Sequence, residues 1–156
     1  MSRRNISKKR FPQPDSVYNS YLVSLLIARI LKAGKKNLAK KIVNNAFNLI
    51  KSKTKAEPLD IFEKAIKNVS PLMKIKTKRV GGSNYQIPIE VNSFTSTLLS
   101  LRWIIKYARE RNGRKMSIRL ANEIIDASKG TGNSIKKKEE THKTAETNKA
   151  FSHYRY

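Results

Sequence analysis

This sequence predicts a mainly α-helical domain of six helices with one protruding two-stranded β-hairpin between the third and fourth helices. Three observations lead there. Apolar residues recur at helical spacing in five segments, and a polar sixth segment near the C-terminus carries i, i+4 charge pairs. Glycine and proline punctuate the segment ends. Between the third and fourth segments the period switches from 3.6 to 2.

The elements follow in order. The first fourteen residues hold Arg3, Arg4, Lys8, Lys9 and Arg10 and no acid, which predicts a flexible basic arm ahead of a domain over 15–156. Asp15 or Ser16 can cap a first helix to about Lys32. Its apolar residues Val17, Tyr21, Leu22, Leu25, Leu26, Ile27, Ile30 and Leu31 surround the axis, so it should be central and buried, with Gly34 ending it. A second helix over about 37–51 sets Leu38, Ala39, Ile42, Val43, Ala46, Leu49 and Ile50 against a polar face of Lys40, Lys41, Asn44, Asn48 and Lys51. The third opens on Pro58, buries Ile61, Phe62, Ala65, Ile66 and Val69, and stops before Pro71.

Two alternating runs over about 73–91 flank Gly81-Gly82, the pattern of a β-hairpin. On its first strand Met73, Ile75 and Thr77 face one way and Lys74, Lys76 and Lys78 the other, with Arg79 just before the turn. Pro88 suits an edge position. An isolated ribbon is marginal in water, so a cationic one makes sense if a polyanion is its missing partner.

A fourth helix over about 93–111 carries a main stripe of Phe94, Leu98, Leu101, Ile104, Ile105 and Ala108. Leu99, Trp103 and Tyr107 form a second stripe, and Trp103 should pack under the hairpin or a neighbouring helix. Arg102 and Lys106 beside it are candidate phosphate ligands. The fifth helix, about 115–129, buries Met116, Leu120, Ala121, Ile124 and Ala127 and ends at Gly130. The last, about 133–149, has no apolar stripe; Lys136 with Glu140 and Glu139 with Lys143 would hold it as a surface helix. The tail to 156 offers Phe151, His153, Tyr154 and Tyr156 for docking on RNA or a neighbouring protein.

Charge narrows the partner. The formal net charge is +23 over 156 residues, and self-repulsion of that size is most easily tolerated when a partner neutralises it. Between Asp15 and Glu57 nine Lys and Arg residues stand without a carboxylate among them, and six more lie between Glu63 and Glu90. The sequence points to nucleic acid.

Other classes are disfavoured by what is missing. Without Cys there are no disulfides or thiolate metal sites. His142 and His153 have no partners at metal spacing, and no Gly-rich phosphate loop, nucleophile elbow or apolar carboxylate pair is present. We therefore expect neither an enzyme nor a bound metal or cofactor. The basic start lacks an apolar signal region, and the longest apolar stretch is too short to span a bilayer, so a soluble cytosol-type protein is expected. A peripheral membrane protein would need the apolar face of the second helix exposed, but that face is better used as core. An architectural DNA-binding protein with a basic β-arm is the alternative reading; such arms usually need an apolar wedge at the tip, where only Val80 stands before Ser83 and Asn84.

At several places the residues become specific. The segment 15–46 with Gly34-Lys35-Lys36, then Lys78-Arg79-Val80-Gly81-Gly82-Ser83, Tyr85-Gln86-Ile87-Pro88, Leu101-Arg102-Trp103, and Lys137-Lys138-Glu139 through Tyr154-Arg155 resemble, in order over essentially the whole chain, the small-subunit ribosomal protein S seven family. The resemblance implies a six-helix domain with a β-ribbon that binds the 3′ major domain of small-subunit rRNA, nucleates head assembly and sits by the exit-site tRNA and mRNA path. Neither a homo-oligomer nor a membrane partner is expected. Position by position the resemblance implies rRNA contacts at Arg3, Arg4, Lys35, Lys36, Lys76, Lys78, Arg79 and Arg102, to which the charge pattern adds Lys9 and Arg10 of the basic arm and Lys106 beside Arg102. The resemblance places the tip, Val80, Gly81, Gly82, Ser83 and Asn84, near tRNA and mRNA. Lys137, Lys138, His142, His153, Tyr154 and Arg155 would lie near the exit site and a neighbouring small-subunit protein. One departure is Phe94-Thr95-Ser96-Thr97, where bacterial members usually carry arginines, so that contact is not carried over. Met-Ser-Arg-Arg at the start, Ile30-Leu31-Lys32 and Lys138-Glu139-Glu140-Thr141-His142 are most similar to plastid members. That makes a chloroplast ribosome the expected location and a bacterial cytoplasm the alternative.

Overall fold

A computed structural model describes residues 12–155, apart from the side chains of Val80 and Arg155. The elements run α1 (Tyr21–Ile30), α2 (Lys36–Thr54), α3 (Pro58–Val69), β1 (Met73–Val80), β2 (Ser83–Glu90), α4 (Ser93–Glu110), α5 (Met116–Ser128), α6 (Asn133–Thr147) and a closing 3₁₀ segment, Lys149–Arg155. The mainly helical class and the hairpin between α3 and α4 are as expected.

The first helix is shorter than its apolar pattern suggests. Asp15 does cap, accepting from the Val17 N–H at 3.1 Å, but it caps only a turn over 16–18. Asn19 then takes a positive φ of 44° and breaks the run, so α1 starts afresh at Tyr21. Val17 is consequently 63% exposed. At the other end Leu31 turns extended, and Ala33 and Gly34 both adopt left-handed backbone ahead of α2.

α5 is the hub, packing against α2, α3 and α4. Phe47 and Phe62 are fully buried, with ring centroids 5.5 Å apart, and the Tyr18 ring meets Phe47 edge-on at 5.0 Å. Phe47 was not assigned to the predicted α2 stripe, whereas Leu38, which was, is 53% exposed. The buried face of α2, with Ala39, Val43, Ala46, Phe47 and Ile50, is thus rotated toward Phe47, and Leu38 falls at its exposed edge. Trp103 is half-buried against the helical core, and α4 does not pack along the hairpin.

The expectation of a purely surface-bound last helix is corrected. α6 buries Ser134, Ile135 and Ala145. Its start is pinned by Glu123, fully buried on α5, whose carboxylate accepts from the Ser134 N–H and hydroxyl and from the Arg111 guanidinium. Arg111 also donates to Asp126. Burial opposes the charge on Arg111, but these two carboxylates win and raise its pKa. Its surface charge pairing also differs: Lys137 meets Glu140 at 2.9 Å, in place of the two i, i+4 pairs anticipated.

Gly81 and Gly82, with φ of 57° and 90°, form the two-residue turn of the hairpin. The register pairs Lys74 with Ile89, Lys76 with Ile87 and Lys78 with Tyr85. Opposite residues share a face of an antiparallel ribbon, so the lysines stand beside the apolar residues of β2. α6 lies against β1 and the 3₁₀ segment along β2. The ribbon's partner is therefore, in part, its own C-terminus rather than a polyanion alone.

Candidate nucleic-acid interface

Four cations converge between α1 and α4. Arg29 comes from the last turn of α1, while Arg102, Lys106 and Arg109 rise from α4 at i, i+4 and i+7, which is one helix face. With Ile105 and Glu110 they line an open cleft of about 520 Å³. Glu110 is the one acid there, and it spans 3.9 Å to Lys106 with both side chains largely exposed, a weak and easily exchanged pair. Burial, and then the neighbouring charge of Arg102, lowers the pKa of Arg29. A phosphate entering the cleft would relieve that like-charge repulsion.

Arg109 links this cleft to a second one. On its other side Arg109 joins Lys32, Lys35, Arg119 and the exposed Leu38 around a concavity of about 560 Å³ with no acid in its lining. Arg119 is fixed there by donating to the carbonyls of Arg109 at 2.9 Å and Arg111 at 3.3 Å, a cation at the C-terminus of α4. Lys35, Arg102 and Lys106, three of the anticipated contacts, thus lie on one continuous basic surface. Lys36 does not join them. The left-handed turn at Ala33 and Gly34 sends it to a separate depression with Lys40 and Asp15.

Arg109 and Arg119 lie outside the cations expected from sequence, and Arg29 is expected only as one of the nine in the acid-free run and not as a contact. Arg109 could have been found, since it completes the face of Arg102 and Lys106. Arg29 could not, because it interrupts a helix whose other residues read as core on every side.

The hairpin contributes separately. Lys76, Arg79 and the tip residues Gly81, Gly82, Ser83 and Asn84 are exposed. Lys78 is half-buried and donates to the Tyr154 carbonyl at 3.2 Å. Arg3, Arg4, Lys9 and Arg10 lie outside the described residues; Gln13, next to them, accepts from the Ser24 hydroxyl on α1 at 2.5 Å. At the start of α4, where arginines are missing, Ser96 is buried and donates to the Pro71 carbonyl at 2.7 Å, so this turn serves packing.

The C-terminal candidates are mostly occupied within the chain. Lys138 donates to the Asn68 carbonyl at 2.7 Å, and Lys137 holds Glu140, the hydrogen bond that raises its pKa. His142 Nε2 accepts from the Leu72 N–H at 3.0 Å, which puts any single ring proton on Nδ1. His153 Nδ1 lies 2.8 Å from the Ala150 carbonyl, and its ring lies 4.0 Å from that of Tyr154. Among the described residues no group of histidines and carboxylates could hold a metal ion, and no helix is long and apolar enough to cross a membrane.

This arrangement accords with what the chain is similar to. A family model described as ribosomal protein S7p/S5e matches residues 2–149. The small ribosomal subunit protein uS7c of Trieres chinensis is 68% identical over 143 residues, covering 92% of this chain and 90% of that one. The uS7 proteins of Microcystis aeruginosa and Synechococcus elongatus are 55% and 50% identical over 156 residues, each covering both chains in full. With a basic surface built on α1, α2 and α4, a hairpin in the expected place and a family match along nearly its whole length, the chain belongs to the ribosomal protein S7p/S5e family.

Proposed function

We propose that this protein is a structural constituent of the small subunit of a plastid ribosome, and that it binds the 3′ major domain of the small-subunit rRNA and nucleates assembly of the head. The observation that carries the RNA reading is the acid-poor surface from Arg102 and Lys106 through Arg29 and Arg109 to Lys35. Phosphates would seat along it, since it offers several fixed cations and almost no carboxylate to displace. Lys76 and Arg79 extend the contact along the hairpin, and the exposed tip reaches toward the exit-site tRNA and mRNA path. The plastid location rests on the similarity to the Trieres uS7c protein, with the cyanobacterial relatives keeping a bacterial ribosome as the alternative.

The test is titration of the full chain against a transcript of the 3′ major domain at several salt concentrations, with duplex DNA as competitor. Log affinity should fall linearly with log salt, and each phosphate ligand removed should lower the slope by about 0.7 to 0.9. Duplex DNA competing as well as the transcript would overturn the rRNA reading in favour of an architectural DNA-binding role.

A further inference from the structure

The C-terminal segment and the hairpin meet through a set of contacts that RNA binding does not account for. Strand alternation and register put Lys76, Lys78, Tyr85 and Ile87 on one face of the ribbon. On that face the Tyr85 ring lies 5.3 Å from Phe151, tilted by 53°, and 5.3 Å from Tyr154, tilted by 31°. Lys78 Nζ, directly across from Tyr85, donates to the Tyr154 carbonyl. Just before the segment, Asn148 reaches Gln86 at 3.5 Å. Ile87 is only 2% exposed, the one buried side chain among those described on the two strands.

We propose that Tyr85 and Lys78 are positioning residues that clamp the 3₁₀ segment Lys149–Arg155 onto the hairpin as a third layer, so that the tail sets the angle and order of the arm instead of contacting RNA itself. A ribbon of two eight-residue strands is marginal alone, and no other α-helix than α6 packs along it among the described residues. The three aromatic rings supply the apolar cover that a third strand or a helix would otherwise give. Lys78 then directs its ammonium group to a carbonyl of the tail, and Lys76 and Arg79 are the exposed cations of the arm. The clamp would thereby hold those two at a fixed distance from the α1–α4 surface and spare RNA binding the cost of ordering them.

Two measurements on the full chain test this, and only the second rests on the rRNA reading. The first is amide hydrogen exchange in the free protein. Tyr85→Ala should speed exchange across both strands by about tenfold or more, leave the α2 and α5 amides unchanged, and be rescued by Tyr85→Phe, which keeps the ring. Unchanged exchange in the strands of Tyr85→Ala would overturn the clamp. The second is the salt dependence of binding to the 3′ major domain transcript. Lys78→Met should weaken binding several-fold with the slope retained, because no phosphate ligand is lost. A slope lowered by about 0.7 or more would make Lys78 an RNA ligand and overturn its positioning role. The exchange result decides the clamp even where the transcript is not bound.

Discussion

The helical body and the hairpin arm hold their shapes by different means. In the body, Val23 and Leu26 of α1, Val43, Phe47 and Ile50 of α2, Phe62, Ala65 and Val69 of α3, Leu101 and Ile104 of α4 and Leu120 and Ile124 of α5 are all fully buried. The arm has Ile87, a ring cluster and a few hydrogen bonds to α6 and the tail. Charge is divided in the same way. The body's cations line concavities whose walls are fixed by core packing, while those of the arm ride on a ribbon whose own footing is slight. A rigid platform with a lightly tethered extension suits a protein that must first dock on a folded RNA and then reach elsewhere.

Substitutions in the two regions should therefore differ in kind as well as size. Phe47→Ala empties the centre of the body, where Tyr18 and Phe62 both lean on the ring, and should cost about 3–5 kcal/mol in global denaturant unfolding. Ile87→Ala should leave that global transition nearly in place and loosen only the arm, seen as faster exchange in its strands. A loss of global stability from Ile87→Ala as large as that from Phe47→Ala would merge the two regions into one cooperative unit.

The junction between the regions rests on Glu123. It ties α5 to the Arg111 side chain after α4 and to Ser134 at the start of α6, and through α6 it supports the arm. Glu123→Ala strands the Ser134 groups and leaves Arg111 only Asp126, so a loss of about 3 kcal/mol is expected by thermal or denaturant unfolding. The added sign of the comparison is that arm amides should lose protection together with α6, unlike the local effect at Ile87. A stable protein with an unaltered arm would show that α6 is held by its apolar residues alone.

On the RNA side, the body predicts a larger share of the salt dependence than the arm. Arg29→Ala with Arg102→Ala should lower the slope of log affinity on log salt by about 1.5, while unfolding is little changed because neither side chain belongs to the buried core. Lys76→Ala with Arg79→Ala should lower it by less, because Lys76 and Arg79 stand on opposite faces of the ribbon and an RNA strand along one face meets only one of them. An equal fall would make the ribbon as much an RNA anchor as the body, and a larger one would place the primary anchor there.

The arm and the body also differed in how far their sequences could be read. Periodicity exposes the body's stripes, because burial there is repeated at every turn; it falls short where a single backbone angle decides, as at Asn19, or at the edge of a helix's apolar face, as at Leu38. The hairpin and its turn were readable from alternation and Gly81-Gly82. What closes over the hairpin was not readable. The contacts of Tyr85 with Phe151 and Tyr154 join residues more than sixty positions apart, and no spacing rule reaches that far. For the same reason the site was half visible: Arg102 and Lys106 share a helix face, but Arg29 joins them only through the packing of α1 on α4.

The smallest effect expected is at the hairpin turn, and it separates the tip from everything that supports it. Gly81 has φ of 57°, inside the left-handed region that asparagine tolerates, and a Cβ there would meet nothing within 4 Å. Gly82 has φ of 90° with equally open space around it, so only backbone strain opposes a side chain. Gly81→Asn recreates the Asn-Gly pair favoured in such turns and should change stability by no more than about 0.5 kcal/mol. Gly82→Ala should cost about 1 kcal/mol, confined to the arm. Neither change touches a cation, so binding to the isolated RNA should keep both its affinity and its salt slope. If Gly81→Asn weakens RNA binding while strand exchange stays as in the parent, the tip backbone itself meets the RNA, and the division between anchoring body and reaching arm gives way at that point.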